Sequence, residues 1–520
     1  MISWKVSDFG VAFQKNCAKE PVVKTESTWR KEISKSWRSY RRIQQSVKRQ
    51  REQHDLKRNT DSCPPDSERY EFHCIWATEV FTPSNVGSLS KSIQDMGWDT
   101  NPMFSNGQQK ISDWLAESRS MGHGCYWMNG GFVGSSKTAP NFMSDYKYAT
   151  LPKDVDFCRL SFMTIGSSLT MVTIQFVLSD NVSERFNALL RKTYKTEVEF
   201  HWKGLRLNGA TYRDVHDQKR EEANRYSDEI HKSISKWFSK NIPGHYSDRA
   251  LNLPSIDLIT SNIYESNTDV GVHKAHSPQT QLFDVATDVW VYRGEKKIEL
   301  RVPSDQRRSA YLFANRDSLR GGMWGEDREQ LTAVMGEGFT QNIALWSIHK
   351  LLISFERELS ELRDLAVSRS ESQLGTIKSL QHIRKSYLTI TRDVQILAND
   401  LLGFVENPNG LHKESMDFEL VRQSKYELPS WVEFLRQQDE KRIKYLKGLH
   451  VRVGEVITTS GNLLSIIENL RLQKKVLGLS LAVFFLGLVA AFGIDISNLS
   501  MTLWGWFLSG IRDVFRWIYP

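Results

Sequence analysis

Cysteine is scarce and unpaired in this chain. Its five cysteines, Cys17, Cys63, Cys74, Cys125 and Cys158, are an odd set without paired spacing, which excludes a disulfide framework. The first ten residues, MISWKVSDFG, lack the basic region and long apolar run of a secretory signal, so the thiols are expected to stay in a reducing compartment. With 40% hydrophobic and 25% charged residues, neither a wholly disordered chain nor a polytopic transporter fits. A length of 520 residues exceeds one ordinary core and implies two or three structural units.

Catalytic and metal signatures are lacking as well. A phosphate loop needs G-x-x-x-x-G-K-[ST], because backbone amides must close round the phosphates before a helix opens. In Gly130 to Thr138, GGFVGSSKT, Ser136 stands at the second glycine position and Pro140 follows, so the stretch is expected to be a glycine-rich loop. His273 and His276, with Cys63, His73, Cys74, His123 and Cys125, never form the two short-spaced groups that structural zinc requires. Asp284 and Asp288 are lone carboxylates, and no Ser/His/Asp signature is present. The chain reads as a non-enzyme without a resident cofactor.

What is present begins with a basic segment. Between Lys24 and Arg58 twelve Lys or Arg face four acidic residues, and Trp29, Ile33, Trp37, Tyr40, Ile43 and Val47 recur at helical steps. This is an amphipathic helix with a cationic face, which suits a polyanion or anionic lipid or a simple solvated side. From Tyr70 onward short β-rich runs alternate with single helices: YEFHCIWATEVF, GCYWMNGGFV, a hairpin in 157–179 around Gly166, and another in DVWVYRGEKKIELRV. The pattern predicts an α+β cytosolic domain with a largely antiparallel sheet over 69–330, after the basic helix and loop of 1–68.

Beyond residue 330 the period becomes helical. Leu345, Ile348, Leu352, Phe355, Leu359 and Leu362 step by three and four, as do Leu380 to Phe404 and Leu446 to Leu470. Three such runs predict an all-α heptad bundle and coiled-coil stalk over 331–473 and a homo-oligomer. The stalk is expected to run unbroken from Ser430 into a transmembrane helix, Val476 to Ile494, nineteen residues without a charge. Arg471, Lys474 and Lys475 precede it and only Asp495 follows closely, which places the bulk of the chain in the cytosol of an integral membrane protein, in a bacterial inner membrane or a plasma membrane. Gly487 and Ala491 form a small-residue pair for helix packing.

The order of parts, with Phe492, Gly493, Ile494 and Asp495 where the family carries Tyr-Gly-Met-Asn, resembles the CorA superfamily of divalent-cation channels. The resemblance implies ion transport, a divalent cation as the ion, and Asp495 at the ion path. Within the membrane region of 474–520, a second short hydrophobic segment at 501–520 either crosses or lies in the interface, with Trp504, Trp506, Arg512, Arg516 and Trp517 at the boundary. The alternative is a non-conducting membrane-anchored sensor, scaffold or stress-response effector acting through the α+β domain, whose ligand is unknown.

Overall fold

The run YEFHCIWATEVF forms β1 (Tyr70–Phe81), and all but one of its residues are buried. Its lack of period-two alternation follows from its place inside a sheet covered on both faces. The protein is seen in a computed structural model that describes residues 26–100, 110–122, 124–136, 146–204, 206–263, 288–292, 298–302, 309–316, 328–371, 377–406, 417–420 and 429–491, with positions 505, 509 and 512. The chain divides into two units, residues 1–351 with 399–441 and residues 352–398 with 442–520.

The first unit is built on a ten-stranded sheet in the order β12-β9-β10-β11-β8-β1-β5-β4-β2-β3. Its strands after β1 are β2 (Cys125–Gly134), β3 (Tyr146–Tyr148), β4 (Val155–Ile165), β5 (Leu169–Leu178), β8 (Ser255–Ser261), β9 (Asp288–Tyr292), β10 (Ile298–Val302), β11 (Ala310–Asn315) and β12 (Phe418–Leu420). Among the described residues only β8 with β11 and β2 with β3 pair in parallel, so the sheet is mixed and mostly antiparallel. A two-stranded hairpin, β6 (Glu197–Lys203) with β7 (Arg206–Arg213), stands apart from it.

Among the described residues the helices of this unit are α1 (Glu26–Gln50), α2 (Leu56–Asp61), α3 (Val86–Asp95), α4 (Ile111–Ser120), α5 (Asp180–Arg191), α6 (Val215–Asn241) and α7 (His245–Asp248). A π-helical turn, Arg51–Asp55, separates α1 from α2. Three long helices, α8 (Arg328–Glu371), α9 (Ile377–Glu406) and α10 (Trp431–Ala491), contribute residues to both units. On β1, Phe72 meets Phe186 of α5 and Trp76 meets Phe339 of α8.

Glycine has two jobs here. Gly130 to Gly134 lie within β2, as the β-rich run GCYWMNGGFV predicts and against the glycine-rich loop expected of Gly130 to Thr138. A methyl at Gly130 would meet the Phe162 ring and Leu160, and one at Gly134 would collide with Tyr146. These glycines let neighbouring side chains lie flat on the strand. Gly166 takes φ of +55° at the β4–β5 turn, where a side chain would also strike Asp400. The Asp400 carboxylate instead accepts a hydrogen bond from Ser167 N at 3.0 Å.

The C-terminal expectation needs correction. Among the described residues no helix is long and apolar enough to cross a membrane. The described uncharged part of α10, Val476 to Ala491, is about 24 Å long at 1.5 Å per residue, against a hydrocarbon core of roughly 30 Å. The residues that would have completed the expected span, Phe492 to Ile494, lie outside the described residues. The transmembrane helix, the integral-membrane placement and the ion-transport role drawn from them are therefore not supported.

Candidate functional site

The closest gathering of His, Asp and Ser lies beside the sheet. Ser227 and His231 sit one turn apart on α6 and so share a face. Both reach Asp257, a fully buried carboxylate in the middle of β8. Its Oδ2 accepts from His231 Nε2 at 3.0 Å and from Ser227 Oγ at 3.3 Å. Ser309, just before β11, brings its Oγ to 3.1 Å from the same Nε2 and to 2.6 Å from Ser255 Oγ. Parallel pairing of β11 with β8 places Ser309 there, since Ala310 is opposite Ile256.

This arrangement cannot run a nucleophilic relay. A Ser-His-Asp triad needs the serine on one ring nitrogen and the carboxylate on the other, so that the ring passes a proton between them. Here Ser309 and Asp257 compete for Nε2. The cluster holds α6 to β8 and β11 through a charged pair. Burial pushes the His231 pKa down, but the Asp257 charge and hydrogen bond, with Asp228, outweigh it and leave the pKa above its ordinary 6.5. A folded pKa above the unfolded one means that the pair's stabilisation is complete below pH 6.5 and is lost as pH rises through the folded value. We expect the His231 ring protons to titrate above pH 6.5 by NMR, and Asp257→Asn to move the midpoint below that of the parent. An unshifted midpoint in the variant refutes the pairing.

Two further acids are set into β1. Glu71 is held below its usual range by a hydrogen bond from His73, against burial, with help from the charges of His73, Arg316 and Arg69. Arg316 Nη1 lies 2.8 Å from it. Glu79 is fully buried and accepts from Val80 N at 3.0 Å, Tyr246 N at 2.8 Å, Ser247 N at 3.0 Å and Ser247 Oγ at 2.5 Å. Burial raises its pKa to about 7 against those four donors. Glu79 and Asp257 could have been noticed in the sequence as charges inside the apolar strands IWATEVF and SIDLITS.

Those of the possible metal ligands that are among the described residues are not brought together. His73 contacts Glu71 and Thr260, and Cys74, Cys125 and Cys158 are buried thiols. Burial pushes Cys125 up to about 12. Among the described residues no group of three His, Cys, Asp or Glu side chains could hold a metal. Cys17, His123, His273, His276 and Asp284 lie outside the described residues, and Asp288 is the first residue of β9.

In the second unit the heptad positions of α10 change character along its length. Ile443, Leu446, Leu449, Val453 and Ile457 are buried, as are Leu352, Phe355 and Leu359 of α8 and Ile383, Ile390 and Val394 of α9. Tyr387 OH donates to the His450 carbonyl at 2.8 Å, and a side chain at Gly454 would displace that hydroxyl. After Ser460 the same three- and four-residue steps continue through Leu463, Ile467 and Leu470, but these are exposed, Leu463 and Leu470 by half or more. Ile466, Leu472, Val476, Leu477 and Leu479 are exposed too.

Among the packing and boundary residues expected near the C-terminus, Gly487 is helical and exposed, with open space around it. Ala491 is the last described residue of α10. Arg512 is an exposed helical position. Asp495, Trp504, Trp506, Arg516 and Trp517 lie outside the described residues. Neither a family model nor a curated protein matches the chain.

Proposed function

We infer that the chain is a self-associating scaffold, with α10 joining copies and the α+β unit carrying recognition. The observation behind this reading is the continuation of the α10 seam beyond Ile457. Leu446, Leu449 and Val453 are buried, and Leu463, Ile467 and Leu470 repeat the same step in the open. A seam of unchanged pitch fits another helix of that pitch, and a second copy's α10 supplies one. Each of these side chains contributes about 1.5–3 kcal/mol on burial, and part of that offsets the entropy lost on association.

The test is sedimentation equilibrium of the full chain beside a Leu463→Glu, Ile467→Glu, Leu470→Glu variant. The parent is expected to be oligomeric at micromolar concentration, and the variant to dissociate at least tenfold more readily with its helix content unchanged. A parent that stays monomeric, or a variant that associates equally well, overturns the proposal.

A further inference from the structure

Only one face of α1 is seated. Tyr40 and Val47 are buried, and the Tyr40 ring lies 4.6 Å from Phe200 of β6. Ser36 Oγ accepts from Leu207 N of β7 at 3.4 Å. Immediately after the helix, Arg51 donates to the Thr196 carbonyl at 2.7 Å, and Asp55 accepts from Thr196 N at 2.8 Å. The π-helical turn carries one extra residue per turn and rotates Asp55 inward to make that bond. The azimuth of α1 is thereby fixed relative to the hairpin.

Opposite the seat is a line of cations. At 100° per residue, Lys31, Lys35, Arg38, Arg42 and Arg49 fall within an arc of about 60°, centred half a turn from Tyr40. All five are exposed. The line is roughly 27 Å long at 1.5 Å per residue, and Glu32 stands about 100° away from its centre on the same helical count. Within α1 as a whole, eight Lys or Arg accompany two Glu.

We propose that this face of α1 binds nucleic acid through its phosphate backbone. A straight, rigidly presented row of cations complements a polymer whose negative charges are evenly spaced, and each neutralised phosphate releases a counterion. A bilayer would instead need the apolar face of the helix. That face is seated on the hairpin at Tyr40 and is buried at Val47, while Trp29, Ile33 and Trp37 at one end are exposed. The cationic face is open along its whole length. This surface is independent of the α10 seam, so failure of either proposal leaves the other standing.

The test is fluorescence anisotropy of the full chain with labelled 24-base-pair DNA and RNA duplexes across a KCl series. Phosphatidylserine vesicles form a parallel arm. Five phosphate contacts predict a slope of about −4 to −5 in log K against log[KCl] for DNA. A Lys31→Ala, Lys35→Ala, Arg42→Ala, Arg49→Ala variant is expected to bind at least tenfold more weakly at 100 mM KCl, with a slope shallower by about 3 to 4. Its thermal melting is expected to match the parent, and exchange of Lys and Arg at the same four positions to retain binding. The relative DNA and RNA affinities identify the natural polymer. No binding to either duplex, unchanged affinity in the alanine variant, or binding to vesicles alone overturns the proposal.

Discussion

Replacing Glu79 by alanine is expected to lower the unfolding free energy of the first unit by roughly 4 kcal/mol, read as a fall in the urea midpoint. The carboxylate is the common acceptor for Val80 N, Tyr246 N, Ser247 N and Ser247 Oγ. Each buried donor left without an acceptor costs about 1–3 kcal/mol. Gly244 closes over the acid so tightly that any side chain there would strike Glu79 Cγ and the Val80 carbonyl, so few atoms can move in to replace it. Glu79→Gln is milder, at about 1–2 kcal/mol, because its carbonyl keeps two donors and its amide can donate to Ser247 Oγ while Ser247 N loses its acceptor.

The same site sets a pH dependence. Burial raises Glu79 from 4.5 to about 7, and the folded state therefore holds a proton that the unfolded state has released. The stabilisation is complete below pH 4.5 and is lost as pH rises through 7, on the order of 3 kcal/mol in all. Protonation is compatible with the geometry: a proton on Oε2 can be donated to Ser247 Oγ while three backbone N–H bonds remain. The urea midpoint is expected to fall between pH 5 and 8 in the parent and to lose this component in Glu79→Gln. Equal pH profiles for the two proteins refute the assignment.

Elements marked by a local pattern, a β-rich run, a hairpin turn or a heptad step, were legible from the sequence even where their partners, as for β1 with β5 and β8, are distant in the chain. The β1 run is a strand over the whole of the expected stretch, and the hairpin around Gly166 is β4 with β5. The heptad steps locate the buried side of α10 as far as Ile457. The uncharged run to Ile494 predicts a span, yet among the described residues no helix is long and apolar enough to cross a membrane. The run GCYWMNGGFV reads as a strand, while the glycines of GGFVG also suggest a loop because glycine is common in turns. Their use in β2 depends on the Phe162 and Tyr146 rings, which other parts of the chain supply. Asp257 and Glu79 are charges inside apolar strands, a signal that the sequence carries, but their partners on α6 and α7 are set by tertiary pairing. The His/Asp/Ser cluster was hidden for that reason.

Trp431 is a similar case of long-range assembly, and Trp431→Ala is expected to cost about 4 kcal/mol, within the range for emptying a buried Trp site. Its ring lies 5.1 Å from Trp290 of β9, 5.9 Å from Trp346 of α8 and 6.2 Å from Phe434. One side chain at the first position of α10 thus joins an outer strand to two helices. Next to it His349 Nδ1 contacts Asp439 Oδ1 at 2.6 Å, a bond that tightens the same α8–α10 packing. Among the described residues the indole N–H groups of Trp290, Trp346 and Trp431 have no hydrogen-bond acceptor, so the cluster is held by area and ring geometry. Trp431→Phe keeps most of the ring contact and removes one unsatisfied donor, and the two effects oppose each other. Its expected cost is about 1 kcal/mol, compared by urea unfolding followed by far-UV circular dichroism. A Phe variant as damaged as the Ala variant would show that the indole N–H does find a partner, and that polar bonding rather than ring packing holds this corner of the sheet.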